Sequence, residues 1–241
     1  MSGQSVKVRS SEGGEFDCYL VEPQSSAPVP AIVLASAVHG VDADIRAIAD
    51  EFAAAGFIAA APDLFWRTLP GPLTHDDTRA QERSQPRLEK LKTGERDMAD
   101  MLAYLKTLAQ FNGRAAAIGF CYGGPYAIIG PKRLGYAAGI SCHGTQLLDF
   151  VQEIEGVAQP VCIIWGDRDS RAPAEVLNAY RGLPARMKNL EVHIFPGVKH
   201  GYMMTGSAEG FDKKTRDFSM ARALAILDGL RDGRATMRQA S

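Results

Sequence analysis

The stretch AIGFCYGGPYA, residues 117–127, carries the reading of this chain. The apolar run Ala115–Phe120 reads as a buried strand, and it stops abruptly at Cys121-Tyr122-Gly123-Gly124. Pro125 then stands where the first turn of a helix tolerates proline. A strand, a sharp turn and a helix lift the residue at the bend into the open. Glycines two residues before and after it, here Gly119 and Gly123, remove Cβ atoms that would collide. A cysteine occupies the bend. Free cysteines are among the most buried residue types, and Cys18, Cys142 and Cys162 fit that pattern inside apolar strands. The turn sets Cys121 apart as a candidate nucleophile, and the positive end of the following helix is expected to favour its thiolate.

Working outward, strand-like and helix-like segments alternate. Val6–Arg9 and Phe16–Glu22 form an expected hairpin around Gly13-Gly14. The stretch 28–36, PVPAIVLAS, suits a strand buried on both faces. Asp44–Ala55 repeats apolar residues at helical spacing until Gly56. FIAAAPDL is the next strand. Residues 67–87 are polar, contain Pro70, Pro72 and Pro86, and have no clear period. Leu88–Leu108 follows as a long helix.

Beyond the Cys121 turn, Gly130-Pro131 should end or kink the helix. YAAGISCHG, PVCIIWGD and LEVHIFPG read as strands, AEVLNAYRGL and Thr215–Leu230 as helices. Such alternation implies one α/β domain over residues 1–241, with a core at about 6–232 and a loose tail at 233–241. Its sheet is mostly parallel and twisted, with helices on both faces.

In that architecture reactive groups collect beyond the carboxyl ends of the strands, in the chain order nucleophile, acid, histidine. Asp167 and Asp169 both follow the PVCIIWGD strand and qualify as the acid. Among later histidines, His193 sits within the alternating LEVHIF, whereas His200 lies in the loop PGVKHGY just past it. His200 is therefore the expected base. Tyr122 and Val38 are the expected backbone N–H donors for an oxyanion. His39 and His143 lie near strand ends and could line a pocket.

These features, GFCYGG, APDLFWR, GDRDSRAP, KHGYMMTG and AIVLASAVHGVD, resemble the dienelactone hydrolase family, a cysteine-nucleophile branch of the α/β-hydrolases. The resemblance spans residues 6–232 and implies the α/β-hydrolase fold without a large cap domain. It also implies Cys121 as nucleophile, His200 as base, and no metal or organic cofactor. The family places its aspartate four residues before a proline, and Asp169 precedes Pro173 by four. That favours Asp169 over Asp167.

Two positions depart from the family pattern. Members acting on dienelactone carry a glutamate where this chain has Ala37, and an arginine where it has Met204. The two contact each other in those enzymes, so losing both avoids stranding one buried charge. Ala37, Val38, His39, Trp66, Tyr122, Tyr126, Tyr202, Met203 and Met204 are then expected to line a rather apolar pocket. A neutral or activated ester or lactone is the expected substrate, with Arg79 or Arg83 as possible anion contacts. Without a carboxylate at Ala37, Cys121 is free to pair with His200 at rest. A ligand-binding or thiol redox-sensing protein on the same fold, and an acyltransferase, are the competing readings.

Composition sets the remaining expectations. Hydrophobic residues are 46% and charged residues 23%, with a formal net charge of -1. That balance argues against nucleic acid or a membrane surface as partner. No apolar run is long enough to span a bilayer, and the N-terminus lacks the apolar core of a signal peptide. Four cysteines without metal-type spacing suit a cytoplasmic protein with free thiols. A monomer or homodimer acting on a small molecule is expected.

Overall fold

The computed structural model describes residues 3–232, so the expected loose tail at 233–241 lies outside the described residues. Eight strands share one sheet in the order β1-β2-β4-β3-β5-β6-β7-β8. They are β1 (Gln4–Arg9), β2 (Glu15–Val21), β3 (Val29–Ala35), β4 (Ile58–Pro62), β5 (Phe111–Phe120), β6 (Ala138–Cys142), β7 (Val161–Gly166) and β8 (Leu190–Phe195). β1 and β2 pair antiparallel as the expected hairpin, and β2 runs antiparallel to β4. All remaining pairs are parallel.

The central strands are buried on both faces, so their apolar runs are continuous rather than alternating. Along β3, Ile32 and Leu34 pack into one cluster while Ala31, Val33 and Ala35 pack into another. On the first face lie α1 (Ala43–Ala54) and, near the chain's end, α6 (Lys213–Arg231). Between them in sequence come α2 (Arg79–Glu82), α3 (Arg87–Leu105), α4 (Gly124–Ile129) and α5 (Ala174–Gly182). The long α3, α4 and α5 cover the second face. Asp42 caps α1 by accepting the Ile45 N–H at 3.0 Å, the favoured use of an aspartate at that position.

Two local expectations change. Residues 67–87 contain only the single-turn α2, yet charged side chains hold the segment in place. Asp63 accepts the N–H groups of Phe65 (3.0 Å) and Gly71 (2.7 Å). Arg83 donates to the carbonyls of Val38, Leu69 and Gly71, each at 2.8 Å. Hydrogen bonds between distant residues replace periodicity here. The helix after Cys121 is also shorter than its pattern suggests. A 3₁₀ turn spans Cys121–Gly123, α4 has six residues, and the chain loosens into a π turn at Gly130–Leu134. A helix this short offers little macrodipole, so any bias toward thiolate must come from side chains.

Candidate active site

Parallel pairing of β3 with β5 brings Ala35 beside Gly119, and so puts the loop after β3 next to the Cys121 turn. A Cβ at Gly123 would stand 2.1 Å from the Ala35 carbonyl oxygen, and one at Gly119 would stand 2.1 Å from the Gly123 carbonyl oxygen. Backbone therefore packs on backbone, and only glycine fits. Cys121 itself takes φ +50°, a left-handed conformation that costs a non-glycine residue about 1–2 kcal/mol. Surrounding structure has to hold it there. Thr145 contributes, with its N–H donating to the Cys121 carbonyl at 2.9 Å and its hydroxyl at 3.3 Å. Replacing Gly123 by alanine should cost at least about 3 kcal/mol. Thermal denaturation should then show Tm lowered by roughly 6–12 °C, with a disturbed turn and lost activity. An unchanged Tm would mean that the turn opens without cost.

At the ends of β7 and β8 the chain brings Asp169 and His200 together. Asp169, fully buried, places Oδ2 2.6 Å from His200 Nδ1 and accepts the Arg171 N–H on Oδ1 at 2.8 Å. That leaves His200 Nε2 for the sulfur, and His200 lies within electrostatic reach of Cys121. Asp167 accepts the Gly197 N–H at 2.7 Å instead. His193 stays on β8, 3.2 Å from Glu191 and packed on Phe218.

Electrostatics act on Cys121 and His200 in opposite directions. Burial alone would raise the Cys121 thiol and is the largest single effect. The His200 hydrogen bond, the His200 charge, Arg87 and Arg171 together outweigh it and hold the thiol below its usual value. For His200, burial pulls down most strongly, but the bonds to Asp169 and Cys121 and their charges lift it to about 9. Cysteine thiolates next to imidazolium are strong nucleophiles.

Three neighbours of this pair have no local sequence signal. Arg87 opens α3, lies 4.8 Å over the Tyr122 ring, and donates to Thr145 Oγ1 at 2.5 Å. Its buried Nε has no protein partner. Arg171 is exposed, within electrostatic reach of both Cys121 and Arg87. His143, 1% exposed, turns its ring edge-on to His200 at 4.9 Å. Neither of its ring nitrogens has a protein partner, and burial, then the His200 charge, hold it neutral.

The expected apolar pocket is largely interior packing. Trp66 is the clearest correction, because its Nε1 donates to Asp97 at 3.1 Å and its ring lies against Phe16. Tyr126 is fully buried, donating its hydroxyl to the Leu91 carbonyl at 3.2 Å. Tyr202 is fully buried too, bonded to Ser219 at 3.0 Å. Met203 and Met204 fill the cluster under α1 and α6. Tyrosines and methionines satisfy a core as well as a pocket, and residue type alone does not separate the two. Ala37 and Val38 are buried at the turn closed by Gly40 N–H on the Ala37 carbonyl at 3.0 Å, and His39 stacks on His75. Arg83 is consumed by backbone carbonyls, and Arg79 pairs with Asp77.

The sequence profile of the dienelactone hydrolase family matches residues 16–229. The chain belongs to the dienelactone hydrolase family. Carboxymethylenebutenolidase 1 of Cupriavidus pinatubonensis is 29% identical over 236 residues, covering 96% of this chain and 99% of that protein. A carboxymethylenebutenolidase of Pseudomonas knackmussii is 24% identical over 215 residues, covering 86% and 89%. Among solved structures, a dienelactone hydrolase-like promiscuous phosphotriesterase from metagenomic libraries aligns with TM-score 0.79 at 19% identity, covering 95% of this chain and 99% of that one. The dienelactone hydrolase of Anabaena variabilis aligns with TM-score 0.68 at 16% identity, covering 93% and 97%. At those identities the structural likeness speaks for the α/β-hydrolase fold. Family membership makes this dienelactone hydrolase-like protein a hydrolase of the ester-cleaving class. Among the described residues, no helix is long and apolar enough to cross a membrane.

Proposed function

We propose that the protein cleaves carboxylic esters or lactones through a thioester on Cys121. The observation that carries this reading is His200 bonded to Asp169 (2.6 Å) and within electrostatic reach of Cys121, which sits on a left-handed, glycine-flanked turn. The thiolate attacks the carbonyl carbon, and the backbone N–H groups of Tyr122 and Val38 receive the oxyanion. Arg83 supports the second donor by gripping the Val38 carbonyl. As the tetrahedral intermediate collapses, the His200 imidazolium gives its proton to the departing alkoxide and becomes neutral. Water then loses a proton to His200 and attacks the thioester, expelling thiolate and releasing acid. Asp169 keeps the ring oriented through both halves.

Thiolate is itself a good leaving group, so an alkoxide that departs poorly lets the intermediate revert. Activated esters and enol or strained lactones are the favoured substrates. The charge of the acyl part is reassigned from the neutral expectation. The neutral expectation rests on the absent glutamate and arginine at Ala37 and Met204 and on the aromatic and methionine set, and that set packs inside. The unspent cationic groups near the sulfur are Arg171 and the Arg87 Nε. They favour an acyl group that carries an anion. A panel with a carboxylated lactone, a neutral lactone and p-nitrophenyl acetate tests both parts. Wild type should prefer the carboxylated lactone in kcat/KM. Arg171→Gln should raise KM for it by about 5- to 10-fold, an exposed charge contact being worth roughly 1 kcal/mol, and leave KM for the neutral ester unchanged. Equal losses on both would overturn the anion preference, and no turnover of any ester would overturn the reaction.

A further inference from the structure

Two loops bring His39, Asp42 and His75 together. Each offers one donor atom, and the three atoms lie within 4.8 Å of one another. His39 and Asp42 belong to the loop between β3 and α1, directly after Val38. His75 comes from the segment tied down by Asp63 and Arg83. The sequence positions are 39, 42 and 75, a spacing that matches no metal-binding pattern.

The distances suit an ion. His75 Nε2 stands 3.5 Å from Asp42 Oδ2 and 3.6 Å from Asp44 Oδ2. Ligand bonds of about 2.0–2.2 Å around a tetrahedral zinc ion put donor atoms roughly 3.3–3.6 Å apart. The His39 and His75 rings stack at 4.4 Å with 13° between their planes. His75 is exposed.

The other lone pairs of the carboxylates are accounted for. Asp42 spends Oδ1 on the Ile45 N–H and leaves Oδ2 facing His75. Asp44, 7% exposed, holds the Thr205 and Gly206 N–H groups and turns Oδ2 toward His75. One charge opposes a cation here, the Arg83 guanidinium. Asp63, Asp77 and Asp42 lie within electrostatic reach of it, and it is bound to three backbone carbonyls.

We propose that His39, Asp42 and His75 form a binding site for a divalent cation of the zinc class, with Asp44 beside His75 as the supporting carboxylate. Two imidazoles and a carboxylate select borderline metals over magnesium or calcium, which need more oxygen donors. A bound ion would tie the loop carrying Val38 to the 67–78 segment and stiffen both.

Cys121 and His200 could capture zinc themselves, so the test uses the tag-free Cys121→Ala chain. Isothermal titration with Zn²⁺ should give about one equivalent bound, and saturating zinc should raise Tm. His39→Ala and His75→Ala, each in that background, should weaken binding by at least about 10-fold while circular dichroism stays unchanged. Asp42→Asn, which retains the helix cap, should do the same. Co²⁺ bound to the Cys121→Ala chain should show the visible bands of a four-coordinate ion, lost in His75→Ala. Absence of zinc binding at about 1 mM, equal binding in both histidine variants, or equal affinity for Mg²⁺ would overturn the proposal. None of these outcomes depends on ester turnover.

Discussion

Cys121→Ala is expected to abolish ester turnover, lowering kcat by about 10⁴-fold or more, with Tm little changed. The size follows from the proposed mechanism. Alanine removes the atom that forms the thioester, and the residual rate comes only from the oxyanion donors and substrate binding. Alanine fits the same turn because it keeps the Cβ and removes only the sulfur. The same variant separates the competing functions. A redox-sensing or ligand-binding protein would have no turnover to lose in the wild type. An acyltransferase would pass the acyl group to an added alcohol or thiol in preference to water. Retention of more than a few per cent of activity in Cys121→Ala would sink the covalent mechanism.

Asp169→Asn should be nearly as damaging, with kcat reduced by about 10²–10⁴-fold, and it has a pH signature that a merely structural residue lacks. In the proposed mechanism the reactive pair is thiolate with imidazolium. It exists above the lowered Cys121 value and below the His200 value of about 9. Acid removes it by protonating sulfur, and alkali removes it by deprotonating the ring. The kcat/KM profile should therefore be bell-shaped with its alkaline limb near 9. Asparagine withdraws the carboxylate that holds the imidazolium at 2.6 Å. His200 then falls below about 9, and sulfur loses its cationic partner. The acid limb of both turnover and iodoacetamide alkylation must move to higher pH, while the alkaline limb moves down. An alkylation profile unmoved by the substitution would mean that Asp169 does not support the ion pair.

Several features were readable along the chain because their causes are local. Gly119 and Gly123 flank Cys121 at a spacing that only a close backbone approach requires. The central strands appear as continuous apolar runs because both faces are covered. Asp169 and His200 follow strands in the order that the architecture dictates, and the structure pairs those two rather than Asp167 or His193. The stretch 67–87 was opaque for the opposite reason. Asp63 and Arg83 order it through backbone groups up to 45 residues away, and no local pattern records such bonds. Arg87 was equally invisible, since it touches Thr145 across 58 residues.

What the sequence by itself determined is the fold and the cysteine turn. Hydrophobic period, glycine placement and chain order are one-dimensional signals with direct steric causes. Only the tertiary structure decided what surrounds the sulfur. It buried Tyr126, Tyr202 and Met203 in the core, sent Trp66 to Asp97, and brought Arg87, Arg171 and His143 toward the Cys121–His200 pair. Side-chain direction depends on contacts between distant segments, and residue type does not encode it. The proposed reaction is therefore written largely in GFCYGG and its ordered partners, and the proposed substrate charge in side chains that only folding brings together.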